Sequence, residues 1–181
     1  MKHVIRKPYW NYEKEEKWLN DMSAKGLALC DYSWCRYVFE EAPKGEYIYR
    51  IELLEHWAPH PESQNYIRFL EEAGVEFVTS YMRWAYFRKK AADGPFDLYS
   101  DIVSKIAHYK KVFTFWLTLA LAELAIGLSN VSLGIKNWGV SDLNLVMGTF
   151  LTVVGVMLLT VAWPLRRKIK QLKKEKQLME S

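Results

Sequence analysis

Two apolar stretches in the second half of the chain constrain its fold more than any other feature. Val112 to Leu133 holds 22 residues with a single charge, Glu123, and Leu143 to Trp163 holds 21 residues with none. At about 1.5 Å per residue each helix would be ~31–33 Å long, which matches a ~30 Å hydrocarbon core. A buried helix of a soluble protein can be this apolar, but two of this length in succession point to a transmembrane hairpin. The connection, Gly134 to Asp142, offers Gly134, Asn137 and Gly139 as turn residues. Lys105, Lys110 and Lys111 precede the first span, and Arg166, Arg167, Lys168, Lys170, Lys173, Lys174 and Lys176 follow the second. In the loop Lys136 is balanced by Asp142. Positive charge stays inside, so both termini are expected in the cytoplasm, with Lys110, Lys111, Arg166, Arg167 and Lys168 as a basic flank facing anionic lipid. Trp116 and Trp163 are expected at the inner interface and Trp138 at the outer one.

Charge divides the chain in the same place. Residues 1–95 carry 14 Lys/Arg against 15 Asp/Glu, while residues 96–181 carry 11 against 6, so the overall net charge of +4 belongs to the second half. A basic, nucleic-acid-binding front domain is thereby excluded. Cys30 and Cys35 make no disulfide framework, and on one strand their odd spacing would set them on opposite faces. Residues 1–10 contain no apolar run, so no cleavable leader is expected.

The first ninety residues alternate helix and strand signals. Lys2 to Lys7 reads as a short strand. Asn11 to Lys25 reads as a helix capped by Asn11, with Trp18, Leu19 and Met22 as its stripe and Gly26 as its stop. Leu27 to Glu41 reads as a strand turned by Pro43-Lys44-Gly45 into a hairpin with Glu46 to Leu54. Pro61 to Ala73 is a second helix stopped by Gly74, and Val75 to Lys89 is strand again, broken near Ser80–Met82. At an offset of 48, Trp18 matches Tyr66, Leu19 Ile67, Met22 Leu70, Leu29 Phe77 and Phe39 Phe87. A strand before each helix gives β-α-β twice. The expectation is therefore an α+β, ferredoxin-like (βαββαβ) cytoplasmic domain over residues 1–93 and a linker helix over 94–111. The two-span hairpin follows over 112–163 and a basic tail over 164–181.

EKWLNDMSAKG, YIYRIE, FLEEAGVEFV with RWAYFRK, and SDIVSKIAHYKK ahead of two spans together resemble the bacterial family catalogued as domain of unknown function 2812, over roughly residues 8–112. The resemblance implies a small bacterial cytoplasmic-membrane protein with no assigned activity or catalytic residues. Members often neighbour PadR-like transcriptional regulators, which implies a regulatory protein partner.

The remaining signals are weaker. His56 and His60, with Glu52 and Glu55 nearby, are the one metal-like cluster, but Pro59 breaks the helix that would align them. They read as surface loop residues, and no metal or cofactor is expected. No phosphate loop, nucleophile elbow or dinucleotide fingerprint is present, so no enzyme is expected. Lys44 to Tyr49 echoes an RNA-binding strand, but Glu46 stands where a stacking aromatic belongs, and nucleic acid is rejected. Eighteen of the first 95 residues are aromatic. If Tyr37 and Phe39 point inward, Trp34, Arg36, Trp84 and Tyr86 line an open sheet face suited to a protein partner. Glu123, near mid-bilayer, is expected to meet Thr149 or Thr152 across the hairpin, through faces made by Ala120, Glu123, Gly127 and by Gly148, Thr152, Gly155. Two functions remain: a membrane-anchored regulatory or interaction module, or a sensor of an amphiphilic small molecule held in the aromatic domain or between the spans. Either leaves room for a homo-oligomer.

Overall fold

A computed structural model describes residues 2–99, 101–136 and 142–179. The chain forms two compact units, divided after Leu98. In the first, β1 (Lys2–Arg6), α1 (Tyr12–Ala24), β2 (Leu27–Ser33) and β3 (Arg36–Glu41) are followed by β4 (Tyr47–Leu53), α2 (Pro61–Glu72), β5 (Glu76–Tyr81) and β6 (Trp84–Lys90). The second consists of α3 (Ile102–Lys136) and α4 (Asp142–Met179).

The α+β class holds, but each repeat is β-α-β-β rather than β-α-β. The two repeats build two three-stranded antiparallel sheets, ordered β1-β3-β2 and β4-β6-β5, instead of one four-stranded plait. The cause is a reversal with no usual turn residue. The stretch 27–41 folds back on itself at Trp34 and Cys35, which both adopt the left-handed region (φ 35° and 61°) without glycine or asparagine. At the 48-residue offset Met82 does the same (φ 54°) between β5 and β6. Two-residue loops with positive φ match the twist of antiparallel strands, which offsets the backbone strain of a bulky residue there. Cys35 therefore lies in a turn, not on a strand face, and both cysteines are free thiols.

The repeat extends to register. Leu29 pairs with Phe39, and their counterparts Phe77 and Phe87 pair likewise. A bulge falls between Leu29 and Asp31 in β2 and again between Phe77 and Thr79 in β5. Pro43-Lys44-Gly45 does not close a hairpin. It hands the chain from one sheet to the other, since β4 pairs with β6.

Helix limits follow the sequence signals. Asn11 accepts the Lys14 N–H and starts α1, and Gly26 and Gly74 (φ 86° and 81°) end the two helices. α1 lies against β4, in the other repeat, and its polar row serves that strand's free edge. Glu16 accepts the Ile51 N–H at 3.0 Å. Asn20 accepts the Tyr49 N–H at 2.9 Å and donates to its carbonyl at 3.2 Å, and Ser23 exchanges bonds with Tyr47 N–H and C=O at 3.2 and 2.7 Å. Three side chains one helical turn apart thus stand in for a neighbouring strand and seal an edge that would otherwise recruit one. One core joins Leu19 and Met22 of α1 to Leu29, Tyr37, Phe39, Tyr49, Ile51 and Tyr86, and a second gathers Ile67 and Leu70 of α2 with Leu54, Val75, Ala85, Phe87 and Phe96.

In the second unit α3 begins later than expected because Asp101 caps it. Its Oδ1 accepts from Val103 and Ser104 N–H at 2.7 and 2.8 Å, and these bonds with the Ser104 hydroxyl hold its carboxyl below the usual range. From there α3 runs without a break through the first apolar stretch, and α4 runs from the second through the basic tail. Both are long and apolar enough to cross a membrane.

Candidate functional site

The α3–α4 contact is built on small residues at seven-residue spacing. Ala120, Gly127 and Gly134 are buried on α3, and Gly148, Gly155 and Ala162 on α4. A Cβ added to Gly127 would stand 2.7 Å from the Thr152 nitrogen, one on Gly148 2.5 Å from the Val131 nitrogen, and one on Gly134 2.8 Å from the Leu145 nitrogen. The antiparallel backbones approach so closely that only glycine fits. Gly134 is thus part of the packed helix, not the loop. The predicted turn residues Asn137 and Gly139, and Trp138, lie outside the described residues.

The predicted pairing of Glu123 does not form. The Thr149 hydroxyl donates to the Leu145 carbonyl at 2.8 Å, and the Thr152 hydroxyl donates to the Gly148 carbonyl at 2.7 Å. Ser129, Asn130 and Thr160 also bond back to carbonyls of their own helices. A hydroxyl on an apolar helix finds a carbonyl one turn back without needing a neighbour, and here that local bond wins. Glu123 is half-buried beside this seam and takes a hydrogen bond from neither threonine.

The basic flank lies on α3 and α4 beside the apolar stretches. Lys110, Arg166 and Arg167 are exposed, with both guanidinium groups about the Trp163 ring at 5.9 and 6.0 Å, while the Lys168 ammonium sits 5.1 Å from the Tyr109 ring and Lys111 is half-buried.

In the first unit the four residues expected on an open face do not share one. Trp34 is 76% exposed at the β2–β3 turn. Arg36 is half-exposed, 3.9 Å from Asp31, and Trp84 stacks on Tyr12 at 5.5 Å. Tyr86 is buried and donates to Glu15 Oε1 at 2.7 Å. The physical reason is that β3 and β6 are the central strands of their sheets. Tyr37, Val38 and Phe39 are buried in succession, as are Ala85, Tyr86 and Phe87, so neither strand has an open side.

Sequence reasoning missed the carboxylate beneath these strands. Glu15 of α1, buried, accepts hydroxyl bonds from Tyr37 and Tyr86, both at 2.7 Å. Burial pushes its carboxyl above the usual range, against the pull of the two phenols, and the same burial pushes Tyr37 and Tyr86 far up. Tyr32 lies on both rings, 4.5 Å from Tyr37 and 4.9 Å from Tyr86. Glu52 and Tyr66 repeat the motif at 2.9 Å. Glu15 stands in the first turn of α1, where an acid suits the helix dipole at the surface, and only the crossing of α1 over both repeats takes it inside. Such carboxylate–phenol groups tie elements together and can exchange a proton with solvent only on opening.

Both hairpin tips point outward, as do Trp10, Trp57 and Phe69 elsewhere on the unit. Trp34 reaches the Tyr81 ring at 6.3 Å, Tyr81 in turn contacts Tyr32 at 5.7 Å, and Met82, next along, is 53% exposed. The equivalent turns of the two repeats thereby present an apolar ridge, with Arg36 and Asp31 at its side.

The family described as Protein of unknown function (DUF2812) matches residues 11–121 of the chain. No curated protein and no solved structure matches it.

Proposed function

The chain belongs to this family of unknown function, and we propose that it is a membrane-anchored regulatory or interaction module whose first unit binds a protein partner. The observation that carries the reading is the ridge at Trp34, Tyr81 and Met82, where Trp34 and Met82 stand in solvent on two left-handed turns and half-buried Tyr81 lies against Trp34. Folding gains nothing from exposing an indole, and a bulky residue in the left-handed region adds strain. Aromatic and Met side chains with a neighbouring Arg are the composition of a recognition patch. The partner is a cytosolic protein, such as a transcriptional regulator of the PadR-like kind, or a membrane complex. The α3–α4 hairpin is the anchor in a bacterial cytoplasmic membrane, and the ten Lys/Arg that flank the apolar stretches within residues 105–111 and 166–176 favour both termini on the cytoplasmic side.

A photo-crosslinking residue at position 34, in membranes of the native host, tests the reading. One discrete adduct, missing when the same residue is placed at exposed Glu72, is expected. Adducts of equal pattern from both positions would contradict it.

A further inference from the structure

We propose that His56, His60 and Glu62 form a binding site for a borderline divalent transition-metal ion such as zinc. From sequence, His56 and His60 go with Glu52 and Glu55, and Pro59 breaks the helix that would align them. The structure brings the three together by another route. His60 is the N-cap of α2, and its backbone N–H closes a turn on the Trp57 carbonyl at 2.9 Å. That turn lays the His56 ring on the His60 ring, centroids 4.0 Å apart at 27°. Glu62, one residue beyond Pro61, sets its Oε2 3.2 Å from His56 Nε2. One donor atom from each of the three lies within 4.8 Å of the others.

The backbone carrying these donors is held in place. The buried Ser63 hydroxyl donates to the His56 carbonyl at 3.1 Å, and Gln64 donates to the Ala58 carbonyl at 2.7 Å. Pro59 and Pro61 fix φ on either side of His60. The side chains themselves are exposed, so their rings and carboxylate have room to turn toward a shared ion. A tetrahedral ion with bonds of about 2.1 Å needs its ligands about 3.4 Å apart, so the donors, now within 4.8 Å of one another, draw together by side-chain rotation on binding. The present use of His60 is weak and easily exchanged: its Nδ1 accepts the Glu62 N–H at 3.3 Å. Two imidazoles and a carboxylate suit zinc, nickel or cobalt; calcium and magnesium prefer oxygen cages, and copper(I) prefers sulfur. Each imidazole coordinates through a lone pair, so binding releases any proton held there. Water fills the remaining position. The bound ion would tie the end of β4 to the start of α2 and fix the loop that exposes Trp57.

The test uses the tag-free full chain in detergent micelles, titrated with zinc against a chromophoric chelator, with cobalt absorption as a second readout. His60→Asn retains a good N-cap while removing the imidazole. His3→Ala removes an exposed histidine that pairs with Glu41 elsewhere. The expected result is one ion per chain with a dissociation constant on the order of 1 μM. Binding should weaken by about tenfold or more in His56→Ala and in His60→Asn, and not in His3→Ala. Wild-type binding no tighter than that of the His56→Ala, His60→Asn double variant would overturn the proposal, as would equal loss in His3→Ala.

Discussion

Asp31 and Thr79 stand 48 positions apart, hold the same place in the two repeats, and touch: the Thr79 hydroxyl donates to Asp31 Oδ1 at 3.3 Å. A contact between equivalent residues marks a local two-fold relation, as at an isologous dimer interface. The two bulges meet along this seam, where Tyr49 accepts the Leu29 N–H at 2.8 Å and Arg88, bidentate on Glu76, reaches the Leu29 carbonyl at 3.3 Å. The two repeats are thus halves of one unit, and the core around Tyr37 and Tyr86 draws on both.

The first unit should fold without the apolar helices, since its cores draw only on residues 5–98. Expressed alone, residues 1–98 should unfold cooperatively in denaturant. A gradual transition with persistent dye binding would show that the unit depends on the rest of the chain.

Asn20 satisfies both Tyr49 backbone groups on the β4 edge. Asn20→Ala leaves them unpaired and should cost about 1–3 kcal/mol. It should also raise aggregation, because the bared edge can recruit a strand. Light scattering alongside denaturant midpoints checks both.

Glu15 and Glu16 both have carboxyls raised by burial, Glu16 against the pull of the Ile51 N–H and Arg50. A raised acid binds its proton more tightly in the folded state. Its contribution is complete below the unfolded value of about 4.3 and is lost as pH rises through the folded one. Stability of the 1–98 unit should therefore fall across that window, and Glu15→Gln, which keeps an acceptor for both tyrosines, should flatten the fall. An unchanged slope in the variant would place the titration elsewhere.

Gly127 and Gly148 face backbone nitrogens at distances no Cβ tolerates. Gly148→Val should force the helices apart, cost about 1–3 kcal/mol, and abolish disulfide trapping between cysteines placed at Ala120 and Leu158. Thr149→Val should change stability by less than about 0.5 kcal/mol, because that hydroxyl serves only its own helix.

The periodic elements were readable in sequence: both helices of the first unit with their caps, the apolar hairpin, and the small-residue faces through Ala120, Gly127, Gly148 and Gly155. The offset of 48 was readable too. The break near Ser80–Met82 was readable as well, but the reversal in the first repeat was not, because Trp34-Cys35 turns the chain without the residues that announce a turn. That missed reversal carried Tyr86 to the wrong side of the sheet. Glu15 and the His56–His60 stack were hidden for a related reason. Each depends on where one element crosses another, which local periodicity does not record.

The ridge at the hairpin tips is the centre of the functional reading. The most direct measurement places the photo-crosslinker at Arg36 and compares the wild type with the Trp34→Asp, Met82→Asp double variant in native membranes. Thermal unfolding of both chains is measured in parallel. Both side chains stand in solvent, so the account predicts an unchanged unfolding midpoint and loss of the adduct. An adduct that persists at full yield in a folded double variant would contradict it.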